Sequence, residues 1–337
     1  MIMYLLYSVV IQVIVYIFFI FFQKRLLIKN YDAIQKIHEG NIPRIGGLMF
    51  LINLIILFYI NNLNFIVPLL SGIFFIFVFS FYEDIKQNLS PLFRLVILSV
   101  GSLFFLIFTE LPNIQISFLN IANEYYFFSI ILFMLSLMLL MNGFNFIDGL
   151  NGLSSFNFFS ILLSAYYIAN FYDDLLLTNL ISIIFISSLI VFFFNFPLGK
   201  VFLGDSGSYI YALISGAIII YLFDRHEELP TMFSMVILAY PITEMLFSIF
   251  RKTIKGFSPL KPDKRHLHHL IFNRITGSKL FRNNLASLTM LPICFLPFLL
   301  SYLSINYYLH NNFIKFLIFF IIYSFAYIFF NKFKSTN

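Results

Sequence analysis

Tryptophan is absent from this 337-residue chain, cysteine occurs once, and charged residues make up only 11% of it. A single cysteine, Cys294, excludes any disulfide or cysteine-built metal site within the chain. Soluble domains carry roughly 25% charged residues, so the shortage of charge excludes an ordinary water-soluble fold. The first segment lacks a basic start and a small-residue cleavage signal. It runs for 22 residues before reaching Lys24-Arg25, and it reads as an uncleaved anchor. There is no internal repeat and no soluble insertion, so residues 1–337 are expected to form one integral membrane domain.

What the chain has instead is apolar length. It is 61% hydrophobic, with 49 Phe and 20 Tyr. Runs such as 1–22 and 65–82 approach the ~20 residues that cross a bilayer as a helix. The expected fold class is all-α, a polytopic membrane helix bundle. Eleven spans are expected, at about 1–22, 45–60, 65–82, 92–109, 126–142, 156–170, 176–195, 208–223, 231–250, 286–305 and 313–330. Lys and Arg set the orientation. If the loop 23–44 is cytoplasmic, that side holds nineteen of the 21 basic residues, and Arg225 and Lys315 fall outside. The N-terminus is then outside and the C-terminus cytoplasmic. The net charge of +6 is gathered on one face, where anionic lipids or phosphorylated substrates would meet it. Topology alone would account for most of these charges. The seven carboxylates on the opposite side, Asp174 among them, form no compact pattern and read as solvated loop charges.

Four polar clusters interrupt the apolar pattern, all on the expected cytoplasmic side. Glu83-Asp84 ends the third span. Adjacent carboxylates suit a general base or a cation site. Ser90-Pro91 is a helix start, which puts Arg94 in a first turn where it could meet phosphate. The second cluster is Asn142-Gly-Phe-Asn145-Phe-Ile-Asp148-Gly149-Leu-Asn151-Gly152. Its Asn142, Asn145 and Gly149 recur near one helical face beside Asp148. Amides there could read a base or sugar, or could simply join helices. The third, Gly204-Asp205-Ser206-Gly207, offers a hard oxygen ligand beside backbone N–H groups at a helix start. It could equally be a helix cap. It lacks the Lys-Ser/Thr ending of a Walker loop. The fourth, Lys264-Arg265-His266-Leu-His268-His269, does not have zinc-ligand spacing and fits hydrogen bonding to a sugar or diphosphate better. A basic surface loop is the plainer alternative. Arg44, in Asn41-Ile-Pro43-Arg44, reads as a topology charge. Glu244, inside the ninth span, reads as a structural hydrogen-bonding acid.

Taken in order, these motifs resemble the polyprenyl-phosphate N-acetylhexosamine-1-phosphate transferases, glycosyltransferase family 4, over about residues 40–272. The resemblance implies transfer of a sugar 1-phosphate from a UDP-N-acetylhexosamine to a polyprenyl phosphate, with release of UMP and a requirement for Mg²⁺ or Mn²⁺. Glu83-Asp84 matches the family's Asp-Asp pair, which implies a catalytic role, together with Asp148. Asn142, Asn145, Asp148 and Gly149 match the Asn-x-x-Asn-x-x-Asp-Gly element. Asp205 matches the metal-binding Asp, with Asp84 a second candidate ligand. Arg265, His266, His268 and His269 are similar to the sugar-recognition motif of the undecaprenyl-phosphate N-acetylglucosamine branch. Arg94 and Asn151 join the implied substrate contacts. Two departures stand out: Glu83 replaces an Asp, and Asn151 replaces an Asp of many members. The implied setting is the bacterial inner membrane, with the site on its cytoplasmic face. The expected partners are the sugar nucleotide, the lipid and the membrane. No nucleic acid is expected, and a homodimer is compatible with the pattern. Two further readings compete. The pentapeptide branch carries a run of three His instead, and transporters place their sites near the midplane. A CDP-alcohol phosphotransferase is disfavoured because no Ala-Arg follows Asp148-Gly149.

Overall fold

The computed structural model describes residues 2–23, 42–63, 66–116, 119, 121–256, 258, 265–307 and 311–332. The described residues fold into helices and connecting turns, without a strand. In chain order these are α1 (Ile2–Gln23), α2 (Gly46–Ile60), α3 (Val67–Lys86), α4 (Pro91–Leu106), α5 (Ile121–Glu124), α6 (Tyr126–Ile147), α7 (Leu153–Phe171) and α8 (Leu175–Asn195). There follow α9 (Gly204–Arg225), a 3₁₀ turn (Thr231–Phe233), α10 (Ser234–Ile237), α11 (Ala239–Ile254), α12 (Leu267–Phe272), α13 (Lys279–Thr289), α14 (Leu291–Asn306) and α15 (Asn312–Lys332).

Helix was expected at all eleven apolar segments, and each is helical. The span count differs. Among the described residues, seven helices are long and apolar enough to cross a membrane: α1, α3, α6, α8, α9, the α13–α14 run and α15. An eighth is gained if Thr231–Ile237 and Ala239–Ile254, which meet at 81°, count as one broken span. The shortfall has physical causes. At 15 and 16 residues, α2 and α4 rise only about 22–24 Å, against a hydrocarbon core of about 30 Å. Helix α7 is long enough, but its buried Ser154, Ser155, Asn157, Ser160 and Ser164 dilute the apolar run. The chain is a multi-pass membrane protein.

Helix α9 is the centre of the bundle. Nearly all of it is buried, and it touches α2, α3, α6, α7 and α8. Phe158 of α7 stacks on its Tyr211 at 4.1 Å between ring centroids. A second core gathers Ile147, Leu150 and Leu153 with α11, α12, α14 and α15, and it buries Cys294. Helix α1 is joined to the bundle by polar contacts: Gln12 Nε2 donates to Ser187 O at 2.6 Å, and Asn53 Nδ2 donates to Ser8 Oγ at 2.7 Å. In an apolar surround such bonds act as inter-helix joints.

The bundle has two distinct ends. One carries the loops around 84–94, 142–152, 196–206 and 266–284. At the other, Gln115 donates to Glu227 O at 2.7 Å. Asp174 lies at this second end, and its expected character needs correction. It is buried, accepts both Arg225 Nε at 2.6 Å and Arg225 Nη2 at 3.0 Å, and lies 3.1 Å from His226 Nε2. Its Oδ1 also caps α8 through Leu177 N. A carboxylate at a helix start facing a guanidinium across the bundle is a structural clamp. It is not a solvated loop charge.

Candidate active site

The site is built on a helix end that has no cap of its own. Leu203 precedes α9 and offers no side-chain acceptor. Asp84, from the end of α3, fills that role across the bundle. Its Oδ1 accepts Asp205 N at 2.8 Å, and its Oδ2 accepts Ser206 N at 3.0 Å and Ser206 Oγ at 2.6 Å. The first N–H groups of a helix lack partners and attract negative charge, so this bond set is strongly directional. Gly204 makes the approach possible. Its φ is +79°, and a Cβ there would lie 2.7 Å from Asp84 Oδ2. Helix α2 closes the other side of the same turn. Gly46 N and Gly47 N donate to Phe202 O and Leu203 O, and Phe202 N donates to Pro43 O. This places Arg44 Nη1 3.8 Å from Asp84 Oδ1.

Glu83 has a different task. Its Oε2 accepts Asn88 N and Leu89 N, which closes the turn after α3, and its Oε1 accepts Arg94 Nη2 at 2.6 Å. Ser90 caps α4, with Pro91 at the first position, as the sequence predicts. Arg94 therefore lies in the first turn of α4 and reaches Asp205 Oδ2 at 3.5 Å. Between α3, α4 and α9 is a narrow, partly open cleft. Phe79, Ile97 and Leu98 wall it, and Glu83, Arg94 and Asp205 stand at its polar end.

The Asn-rich segment meets α9 from the side. Asn145 Nδ2 donates to the hydroxyl of Tyr209, one turn beyond Asp205, at 2.9 Å. Asn142 Nδ2 returns to Met138 O of its own helix. Asp148 ends α6. Its half-buried carboxylate has no hydrogen-bond partner among the described residues, and burial followed by the charge of Asp205 pushes it up to about 8, with Arg44 opposing. Gly149 lies against the histidine segment, where a Cβ would sit 2.9 Å from His268 Cδ2 and 3.3 Å from His269 Cε1. Asn151 turns inward. It is buried, with its N–H on Asn283 Oδ1 and its carbonyl accepting from Ser287 Oγ.

The histidine segment forms the start of α12. His266, His268 and His269 are all buried, and the rings of His266 and His268 stack at 5.7 Å and 14°. Both nitrogens of His268 lack a hydrogen-bond partner among the described residues. Burial, then His269 and His266, hold this imidazole well below its usual range, so it is neutral at physiological pH. Arg265 is exposed beside it. Lys264, Asn41 and the basic residues of 24–41 lie outside the described residues.

Three residues at the site carried weak signals in the sequence. Arg44 reads there as a topology charge, yet it faces Asp84. Glu244 reads as a hydrogen-bonding acid, and that holds: it binds His266 Nδ1 at 2.7 Å and Tyr323 OH at 2.6 Å. Lys252 reads as an ordinary inside-facing charge after an apolar span. It is 4% exposed, with Nζ 5.5 Å from the centre of the Phe146 ring, inside the Asn-rich segment. The available signal is the spacing of Glu244, Ser248 and Lys252 at i, i+4 and i+8, which makes one polar stripe along an otherwise apolar span.

Comparison with known proteins agrees with this layout. The family model described as glycosyl transferase family 4 matches residues 66–223, which include Glu83, Asp84, Asn145, Asp148 and Asp205. The probable undecaprenyl-phosphate N-acetylglucosaminyl 1-phosphate transferase of Bacillus subtilis is 26% identical over 254 residues, covering 73% of this chain and 71% of its own length. The undecaprenyl-phosphate alpha-N-acetylglucosaminyl 1-phosphate transferase of Thermotoga maritima is 28% identical over 263 residues, covering 77% of each. The protein of that name in Salmonella typhi is 26% identical over 277 residues, covering 75% of this chain and 72% of its own. The motifs, the trans-capped carboxylate cluster and these similarities coincide: over residues 66–223 the chain is similar to glycosyl transferase family 4.

Proposed function

We propose that this protein transfers N-acetylhexosamine 1-phosphate, with N-acetylglucosamine 1-phosphate the first choice, from a UDP-sugar to undecaprenyl phosphate, giving the lipid diphosphate sugar and UMP. The observation that carries this reading is the convergence of Asp84, Asp148 and Asp205 with Arg44 and Arg94 at one end of the bundle, against a cleft with apolar walls. An acceptor with a lipid tail and an anionic head needs that combination.

In the proposed reaction an oxygen of the lipid phosphate forms a bond to the β-phosphorus of the donor. The bond from that phosphorus to the bridging oxygen breaks, and UMP leaves with the electron pair. Arg94, held by Glu83, supplies the lipid phosphate with a fixed guanidinium. Asp84 acts by aiming Asp205, since three hydrogen bonds from α9 occupy its oxygens. Asp148 is the carboxylate left to meet substrate. The Asn145–Tyr209 pair shapes the nucleotide side, and His268 offers two unsatisfied nitrogens to the sugar or diphosphate. The reading calls for Mg²⁺, which takes one or two carboxylates and completes its shell with water and phosphate oxygens. Asp205 and Asp148 would hold it, and when bound it neutralises charge on the diphosphate. The basic end of the bundle is assigned to the cytoplasmic side of the bacterial inner membrane.

The test is UMP release from membranes given undecaprenyl phosphate, Mg²⁺ and UDP-N-acetylglucosamine. UMP that needs all three supports the reading. UMP with a different UDP-N-acetylhexosamine moves the sugar and keeps the reaction. Well-folded protein that makes no UMP with any donor overturns it. Asp205→Asn is expected to abolish metal-dependent turnover at an equal protein level. His268→Ala is expected to raise the sugar-nucleotide KM or lower kcat by about tenfold, the loss of one hydrogen bond to a charged group.

A further inference from the structure

Glu244, on α11, and Tyr323, on α15, both lie beyond the matched segment 66–223, and neither belongs to the four motifs. Both are fully or almost fully buried, as is His266. Glu244 Oε1 lies 2.7 Å from His266 Nδ1, and Tyr323 OH donates to Oε2 at 2.6 Å. Each carboxylate oxygen thus has one short partner. A buried carboxylate facing a ring nitrogen keeps a proton there, which fixes both the tautomer and the angle of the ring.

The position of His266 gives this fixation a purpose. Its ring lies 5.3 Å from Phe146, between Asn145 and Asp148, and stacks on His268. His268 in turn lies against Gly149. Holding His266 therefore sets the spacing between the histidine segment and the Asn–Asp loop. Simple helix glue would not require a carboxylate here. Two buried polar groups on facing helices could bond directly, whereas Glu244 joins α15 to a histidine that packs against the Asn–Asp loop.

We propose that Glu244, backed by Tyr323, is a positioning residue. It holds the His266 proton on Nδ1 and so registers the histidine segment against the Asn–Asp loop for the sugar-diphosphate half of the donor. The proposal rests on the transferase reading above for its kinetic consequence, but not for its chemistry. The test therefore has two arms.

The first arm is ¹⁵N NMR of histidine-labelled full-length protein in lipid nanodiscs, with His266 assigned through His266→Asn. The expected result is a protonated Nδ1 in the wild type. An Nε2–H tautomer with bare Nδ1 overturns the proposal. This arm needs no turnover, so it stands even if the protein proves inactive with every UDP-N-acetylhexosamine, an outcome that would sink the functional reading alone.

The second arm is steady-state kinetics against both substrates. Glu244→Met, which removes the acceptor at similar volume, is expected to lower kcat/KM for the sugar nucleotide at least about tenfold, the effect of losing one hydrogen bond to a charged group. The KM for the lipid phosphate stays within about twofold, as expected when only the donor half is disturbed. Glu244→Gln keeps a carbonyl opposite Nδ1 and recovers most of the loss. Tyr323→Phe lowers the donor constant about fivefold, the effect of one hydrogen bond. If Glu244→Met does not fold, Tyr323→Phe and the tautomer decide the matter. Wild-type kinetics in folded Glu244→Met overturns the proposal. So does a loss shared equally by donor and lipid that Glu244→Gln fails to restore.

Discussion

Asp84 and Asp205 are both acidic residues at helix ends, and the structure gives them opposite duties. Asp84 is 1% exposed and spends its oxygens on the start of α9, while Asp205, 18% exposed at its side chain, faces Arg94 and the cleft. Asp148 is different again, because burial and the charge of Asp205 push its carboxyl up to about 8. The consequence for stability has a definite sign. The folded protein holds this proton from the ordinary carboxyl value of 3.8 up to about 8, whereas the unfolded chain has lost it. The folded state then binds more protons, and stability falls as pH rises through that window. Thermal melts of wild type and Asp148→Asn at a series of pH values from about 5 to 9 check this. The wild-type Tm should decline across the range while the variant stays flatter, and the variant should be the more stable of the two near pH 8. If ionised Asp148 binds the metal or substrate, activity rises with pH through the same region.

At the scale of elements, the informative fact is that α9 borrows its cap from α3. Removing that cap with Asp84→Ala is expected to cost about 2 kcal/mol, the range for losing a helix cap with its hydrogen bonds. It should lower Tm measured in detergent, whereas Asp205→Ala, which leaves the cap intact, should not. Equal melting of the two variants would show that the cap is not what holds α3 to α9. The motif residues were legible from sequence because Asn, Asp, Gly and His stand out in a chain so rich in Phe and Ile, and because a known family shares their order. Helix positions were legible from the apolar runs. The number of true spans was not, since it depends on whether a helix such as α2 or α4 reaches the full thickness of the core. The division of labour between Glu83, Asp84 and Arg94 was also out of reach. It depends on which backbone N–H groups meet across α3, α4 and α9, and nothing in a linear string records that. Lys252 was missed because a single lysine after an apolar span looks like an ordinary inside-facing charge, and only the stripe with Glu244 and Ser248 distinguishes it.

At the scale of the whole molecule, the polar clusters and the Asp174–Arg225 clamp occupy opposite ends of the bundle. The bias of Lys and Arg is the support for the proposal that the first end faces the cytoplasm. The lone Cys294 is buried, so the wild-type chain offers a quiet background for thiol labelling. A cysteine placed at the exposed Glu228 should react with a membrane-impermeant maleimide on intact cells. One placed at the exposed Lys255 should react only after the membrane is opened. The reverse pattern would invert the topology and put the site on the wrong side for a cytoplasmic nucleotide.

Helix α9 is held at both of its ends by carboxylates that belong to other helices, Asp84 of α3 at the start and Asp174, before α8, at Arg225. It is therefore mounted like a beam with both ends fixed. It cannot slide like a piston along the membrane normal, nor turn about its axis, without breaking charged hydrogen bonds on one face or the other. Asp205 rides on that beam, so its height in the bilayer is set before any substrate arrives. Any rearrangement of the helices that pack on α9, such as α3 and α6, is then a movement relative to a fixed beam.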